Sequence, residues 1–184
     1  METADKINWM TWDEAIAQSE KDSIPKKMFI DFYTGWCGWC KKMDASTFIE
    51  PNVVAYMNAN YYPVKFDAET LDTIVFNGAQ FINSDPSFKK SKPTARGKVH
   101  FMAYSLLDGK LSYPSYAILD ENKARVAIFA GAKQPDQMIG ILVFFATDQY
   151  KHYHNYLSGQ WNKQLEAAKK NQQSGGAPAE GDKK

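Results

Sequence analysis

Two cysteines in 184 residues are too few for a disulfide-stapled scaffold, and both fall within one short stretch, at Cys37 and Cys40. Histidine is as scarce: His100, His152 and His154 are the only three, and none lies near the pair in sequence. With no third cysteine, the four ligands of a zinc site are missing around Cys37 and Cys40, so no metal is expected there, nor any other cofactor. The charges nearly cancel to +1, which argues against nucleic acid or an anionic membrane as partner. Long apolar runs are absent too. The longest, Ile141 to Ala146, is far short of the ~18 residues of a membrane span and reads as the buried stripe of a helix. Met1 to Asp5 show no basic region leading into an apolar one, so no leader is visible, although a start placed after a removed leader would look the same.

What is present is ordinary for a globular protein: 44% hydrophobic and 23% charged residues, in a length that suggests one domain with appendages. Thr11-Trp12-Asp13-Glu14 has the capping-box pattern and predicts a helix to about Lys21. Met28 to Tyr33 is a short β-favouring apolar run, read as a buried strand, and Thr34-Gly35-Trp36 is the turn leaving it. Composition turns helical from Cys37 through Phe48, Pro51 opens another short helix to Met57, and Tyr61 to Phe66 is a second strand. Residues 67–96 carry Asn77-Gly78, Asp85-Pro86 and Lys92-Pro93, and read as an insertion with little regular structure. Gly97 to Leu107 is a candidate helix ending at Asp108-Gly109. A strand at Tyr116 to Leu119, a turn at 120–123 and a return strand at Ala124 to Phe129 form a hairpin that Gly131-Ala132 breaks. Pro135 opens a long helix with Met138, Ile141, Leu142 and Phe145 on one face. Helical composition continues over about 150–170, and 171–184, with no aromatic residue, Leu, Ile, Val or Met, is expected to be a disordered tail. The organisation predicted is one α/β domain over 1–170, a central mixed sheet flanked by helices.

The cysteine pair is a physical device. Two intervening residues let one helical turn bring the sulfurs together. At a helix N-terminus, unsatisfied backbone N–H groups favour the thiolate of Cys37, while Cys40, a turn later, is covered and can resolve a mixed disulfide. A purely structural bridge across so small a gap would stabilise little. A strand before the pair and a helix after it favour redox chemistry.

The segment Asp31-Phe32-Tyr33-Thr34-Gly35-Trp36-Cys37-Gly38-Trp39-Cys40-Lys41 resembles the active-site segment of the thioredoxin superfamily, most closely the thioredoxin-like branch with a Trp-Cys-Gly-Trp-Cys-Lys-Lys-Met signature. The resemblance spans about Lys26 to Gln149. It implies a thioredoxin-like sandwich with an insertion before the cis-proline loop and a helical C-terminal extension. It further implies that Asp31 is the buried acid, Lys65 its neighbouring lysine, Pro114 the cis-proline after Tyr113, and Gly131 the glycine after the hairpin. Burial of an acid in an apolar strand also predicts a raised pKa for Asp31.

The activity implied is reduction of protein disulfides. Cys37 is the nucleophile, Cys40 resolves, and Asp31 with Lys65 handles the Cys40 proton. Trp36, Gly38, Trp39, Tyr113 and Pro114 meet the substrate. Trp39 stands where thioredoxin has proline, and Tyr113 where smaller residues are usual, so a disulfide oxidase or isomerase is the alternative direction. A binding module or holdase with structural cysteines is the alternative class. The expected partners are a disulfide-containing protein and a separate electron-donor protein. The expected state is a monomer, and the expected compartment is the periplasm or cell envelope, with the cytoplasm as alternative. The insertion, bearing Phe76, Phe81 and Phe88, is expected beside or over the site.

Overall fold

In the computed structural model, which describes residues 5–157 and positions 163, 166, 167 and 170, the first sequence signal becomes a closed cap. Thr11 Oγ1 accepts the Glu14 N–H and the Glu14 carboxylate accepts the Thr11 N–H, starting helix α1 at Trp12–Lys21. Strand β1, Lys27–Tyr33, is buried on both faces, as its unbroken apolar run requires. Helix α2 covers Gly38–Asp44 and stops there; Ser46 folds its hydroxyl back onto the Lys42 carbonyl, and a 3-10 turn, Thr47–Ile49, replaces the single helix expected through Phe48. Helix α3, Pro51–Asn60, runs a turn beyond Met57, and β2 is Tyr61–Asp67.

The insertion holds more regular structure than expected. Strands β3, Ile74–Phe76, and β4, Ala79–Phe81, pair antiparallel across Asn77-Gly78, both at positive φ, as a two-residue hairpin turn demands. The helix expected over 97–107 is shortened to α4, Phe101–Leu106. Its first residues instead run extended beside the insertion: the His100 N–H donates to the Ala68 carbonyl, and the Ser84 N–H to that of Val99. His100 then caps α4, its Nδ1 accepting the Met102 N–H at 3.1 Å. Strands β5, Ser115–Leu119, and β6, Arg125–Ala130, form the predicted hairpin, and α5 is Pro135–Ala146.

The main sheet has the order β2-β1-β5-β6, with β1 parallel to β2 and antiparallel to β5, and β6 antiparallel to β5. Side-chain alternation sorts β1 between two cores. Met28, Ile30 and Phe32 pack with Trp12 of α1, Met102 of α4 and the β3–β4 hairpin on one face. Phe29 packs with Met43 of α2, Val53 and Met57 of α3, and Met138 and Leu142 of α5 on the other. The result is a mixed sheet between helices, the predicted sandwich. Asp31 shares the alternation of Phe29, so the sheet directs it toward the α2 side. The chain divides into units 1–146 and 147–184. Helix α6, Gln149–Leu157, opens the second unit. The expected helical continuation to about 170 lies largely outside the described residues, and the tail 171–184 lies wholly outside them.

Candidate active site

The turn after β1 delivers Cys37 to the N-cap position of α2, where its Sγ accepts the Cys40 N–H at 3.0 Å. Cys37 and Cys40 are joined in a disulfide, and each is only 3% exposed. Cys37 is thus no more accessible than Cys40 in the oxidised form. The residues between them, Gly38 and Trp39, are exposed, and Lys42 lies over the Trp39 ring at 4.8 Å.

Beneath this turn, the parallel register sets Asp31 against Lys65, and the antiparallel register sets it against Tyr116. Lys65 Nζ lies 2.6 Å from Asp31 Oδ2, while Oδ1 is buried without a hydrogen-bond partner. Burial pushes the Asp31 carboxyl up to about 6, against the pull of Lys65, in the predicted direction. Lys65 also pairs with Asp44 of α2 and is surrounded by the rings of Trp9, Tyr33 and Phe48 at 4.9, 5.3 and 5.5 Å. Burial alone would lower the pKa of Lys65, but Asp31 and Asp44 outweigh it and the net shift is upward. Asp44 was missed from sequence, although it follows Cys40 by four residues and so lies on the same helix face.

The Tyr113–Pro114 peptide bond is cis. The Pro114 carbonyl accepts the Gly131 N–H, tying this loop to the glycine after the hairpin. The Tyr113 ring meets the Trp36 ring edge-on at 5.8 Å, so the proline loop and the cysteine turn touch through aromatic side chains. Burial, then the charges of Glu69 and Asp67, push the Tyr113 hydroxyl up to about 12.

Trp36 is held from a third side by the insertion. Its Nε1–H donates to Glu69 Oε1 at 2.8 Å, Lys90 pairs with Glu69 at 2.5 Å, and the Arg96 guanidinium covers the ring at 4.5 Å. Burial alone would raise the pKa of Glu69, but Lys90 and Trp36 prevail and lower it. A Cβ on Gly35 would collide with the Pro93 carbonyl oxygen, so the two loops meet backbone to backbone. The insertion therefore lies beside the site. Glu69, Lys90 and Arg96 carried no local sequence signal, being remote from Trp36 along the chain.

Sheet order, the disulfide at the start of α2 and the neighbouring proline loop define the class: a thioredoxin-fold protein of the thiol–disulfide oxidoreductase type. Residues 1–88, just under half the chain, match the DsbH-type thioredoxin family model, whose description is a protein of unknown function, DUF255. Similar solved structures include a candidate disulphide-isomerase from Bacteroides thetaiotaomicron, 21% identical, with a TM-score of 0.50 over 77% of this chain and 93% of that one. A thioredoxin from Thermus thermophilus is 13% identical, with a TM-score of 0.51 over 74% and 85% of the two chains. At these identities the likeness concerns the fold. No curated protein matches the sequence.

Proposed function

We propose that this protein reduces disulfide bonds in other proteins. The carrying observation is the Cys37–Cys40 bridge at the start of α2, on the sheet face that also holds the buried Asp31 paired with half-buried Lys65. In the dithiol form, the Cys37 thiolate attacks one sulfur of the substrate disulfide. A Cys37–substrate bond forms, and the other substrate sulfur leaves as a thiolate. Cys40 gives up its proton, accepted directly or through water by the Asp31 carboxylate, and attacks Cys37. The intramolecular bridge forms and the second substrate thiol departs. Two electrons have passed from the protein to the substrate, and a separate electron-donor protein returns them.

A carboxyl titrating at about 6 is matched to take and return a proton near neutral pH, which supports this role for Asp31. Lys65 holds it in place. Trp36, Gly38, Trp39, Tyr113 and Pro114 form the substrate's landing surface, with the Tyr113 backbone offering an edge to an extended chain. The periplasm or cell envelope is the compartment we assign by resemblance, and fractionation with the full genomic reading frame tests it.

The decisive variant is Cys40→Ser. It should accumulate protein substrates as mixed disulfides on Cys37, visible as adducts that reducing agent removes, whereas Cys37→Ser should capture none. Failure of Cys40→Ser to trap any partner would favour the non-catalytic binding module. Insulin reduction by the wild type, with a glutathione titration, reads the direction: a couple at the oxidising end of the thiol range would replace reductase by oxidase.

A further inference from the structure

Lys89, Lys90, Lys92, Arg96 and Lys98 fall within ten residues, and no Asp or Glu occurs between Pro86 and Leu107. In a chain of net charge +1 this is a local concentration, and the fold sets it against the active-site turn. Lys90 turns inward to neutralise Glu69. Lys89, Lys92, Arg96 and Lys98 are exposed, and none of them is ion-paired among the described residues. The Pro93 carbonyl packs against Gly35, and Arg96 covers Trp36, the residue before Cys37. On the α2 side of the disulfide, Lys41 and Lys42 are exposed as well. The acids beside this loop each have a local partner. Glu69 is committed to Lys90 and Trp36, and Asp67, half-buried, accepts the Glu69 N–H. Asp85, at the start of the loop, accepts the Ser87 N–H and hydroxyl.

The segment is fixed rather than loosely draped. Lys98 lies over Phe88, the Ala95 N–H closes a turn on the Lys92 carbonyl, and the Trp36–Glu69–Lys90 chain ties the loop down. Both flanks of the disulfide thus present cations.

We infer that Lys89, Lys92, Arg96 and Lys98, with Lys41 and Lys42, form a docking surface for acidic chain segments flanking the target disulfide of a protein substrate. This rests on the oxidoreductase reading and gives it a substrate class. Each exposed cation alone contributes little affinity. Their summed field raises the encounter rate of an acidic partner and disfavours a basic one, and salt screens it.

The test uses the full chain, reduced beforehand and freed of reductant, so that the Cys37–Cys40 dithiol is the electron source. Three disulfide peptides share one core and carry Glu-rich, Ser-rich or Lys-rich flanks. The second-order rate constant of peptide thiol release is measured at low and high NaCl. At low salt the acidic peptide should react on the order of tenfold faster than the neutral one, and the basic peptide more slowly than either. High salt should bring the three together. In Lys89→Gln/Lys92→Gln/Lys98→Gln the acidic-to-neutral ratio should fall several-fold; being a ratio within one protein, it cancels any loss of fold or intrinsic reactivity. Equal rates on all three peptides at low salt overturn the docking surface while leaving the reductase standing. If that equality came with retention on phosphatidylserine vesicles, the cations would be reassigned to a membrane. A reduced protein that leaves all three peptides and oxidised glutathione untouched ends the oxidoreductase reading, and this inference with it.

Discussion

Replacing Asp31 by Asn should make the oxidised protein more stable at neutral pH, although it removes one side of a salt bridge. The reason lies in the balance at this site. Asp31 is buried, its Oδ1 has no hydrogen-bond partner, and its one cation, Lys65, is shared with Asp44. Desolvation therefore outweighs attraction and lifts the carboxyl from 3.8 to about 6. A raised acid pKa means that the folded chain holds this proton more tightly than the unfolded chain. The favourable contribution is complete below the unfolded value and is lost as pH rises from about 4 to about 6. A carboxyl lifted that far costs the folded state about 3 kcal/mol at pH 8, and roughly half as much at pH 5, where the folded Asp31 is still protonated. Asparagine keeps the shape and carries no charge, and Lys65 retains Asp44. Urea unfolding of oxidised wild type and Asp31→Asn at both pH values reads the difference, with other titrating groups cancelling between the two proteins. An Asn variant that is less stable at pH 8, or a gain of the same size at pH 5, would refute the account of Asp31 as a carboxylate short of solvation.

Two further expectations concern the surroundings of the dithiol. Gly35→Ala should destabilise the oxidised protein by about 1–3 kcal/mol, because the new Cβ meets a backbone oxygen of Pro93 that cannot swing aside as a side chain would. Limited proteolysis should then cut more readily within residues 85–98, and unchanged cleavage would mean that the two loops are not held together there. Tyr116→Phe should be neutral or stabilising by about 1 kcal/mol, since the hydroxyl is buried without a hydrogen-bond partner and its ring stacks on Phe129 at 5.0 Å either way. A loss of stability above the error of urea unfolding would reveal a partner for that hydroxyl.

How much of this was legible beforehand depended on the distance over which each feature is encoded. The α1 cap, the β1 run and the Cys-x-x-Cys spacing each lie within a few residues, so local rules reach them. Asp31 was legible for another reason: an acid in an otherwise apolar strand is an anomaly that burial must act upon. The β3–β4 hairpin was the near miss. Its Asn77-Gly78 turn was seen, but three-residue strands carry too little alternation to announce themselves. The shortening of α4 had no local sign, because what keeps residues 97–99 extended is pairing with the insertion, through Ser84 and Val99. The clamp on Trp36 is the extreme case. Its parts come from positions 36, 69, 90, 96 and 113, and only the fold makes neighbours of them. Short-range pattern therefore sufficed for the reactive sulfurs and for the acid whose anomaly betrayed it. The side-chain contacts that surround Trp36 beside them are made at long range. The insertion is the example: its turns carry a local pattern, while its contacts with Trp36 and Gly35 do not. Lys89, Lys92 and Lys98 stand far along the chain from Cys37 and Cys40, and on the docking inference substitutions there should alter which peptides react without touching the bonds that form and break.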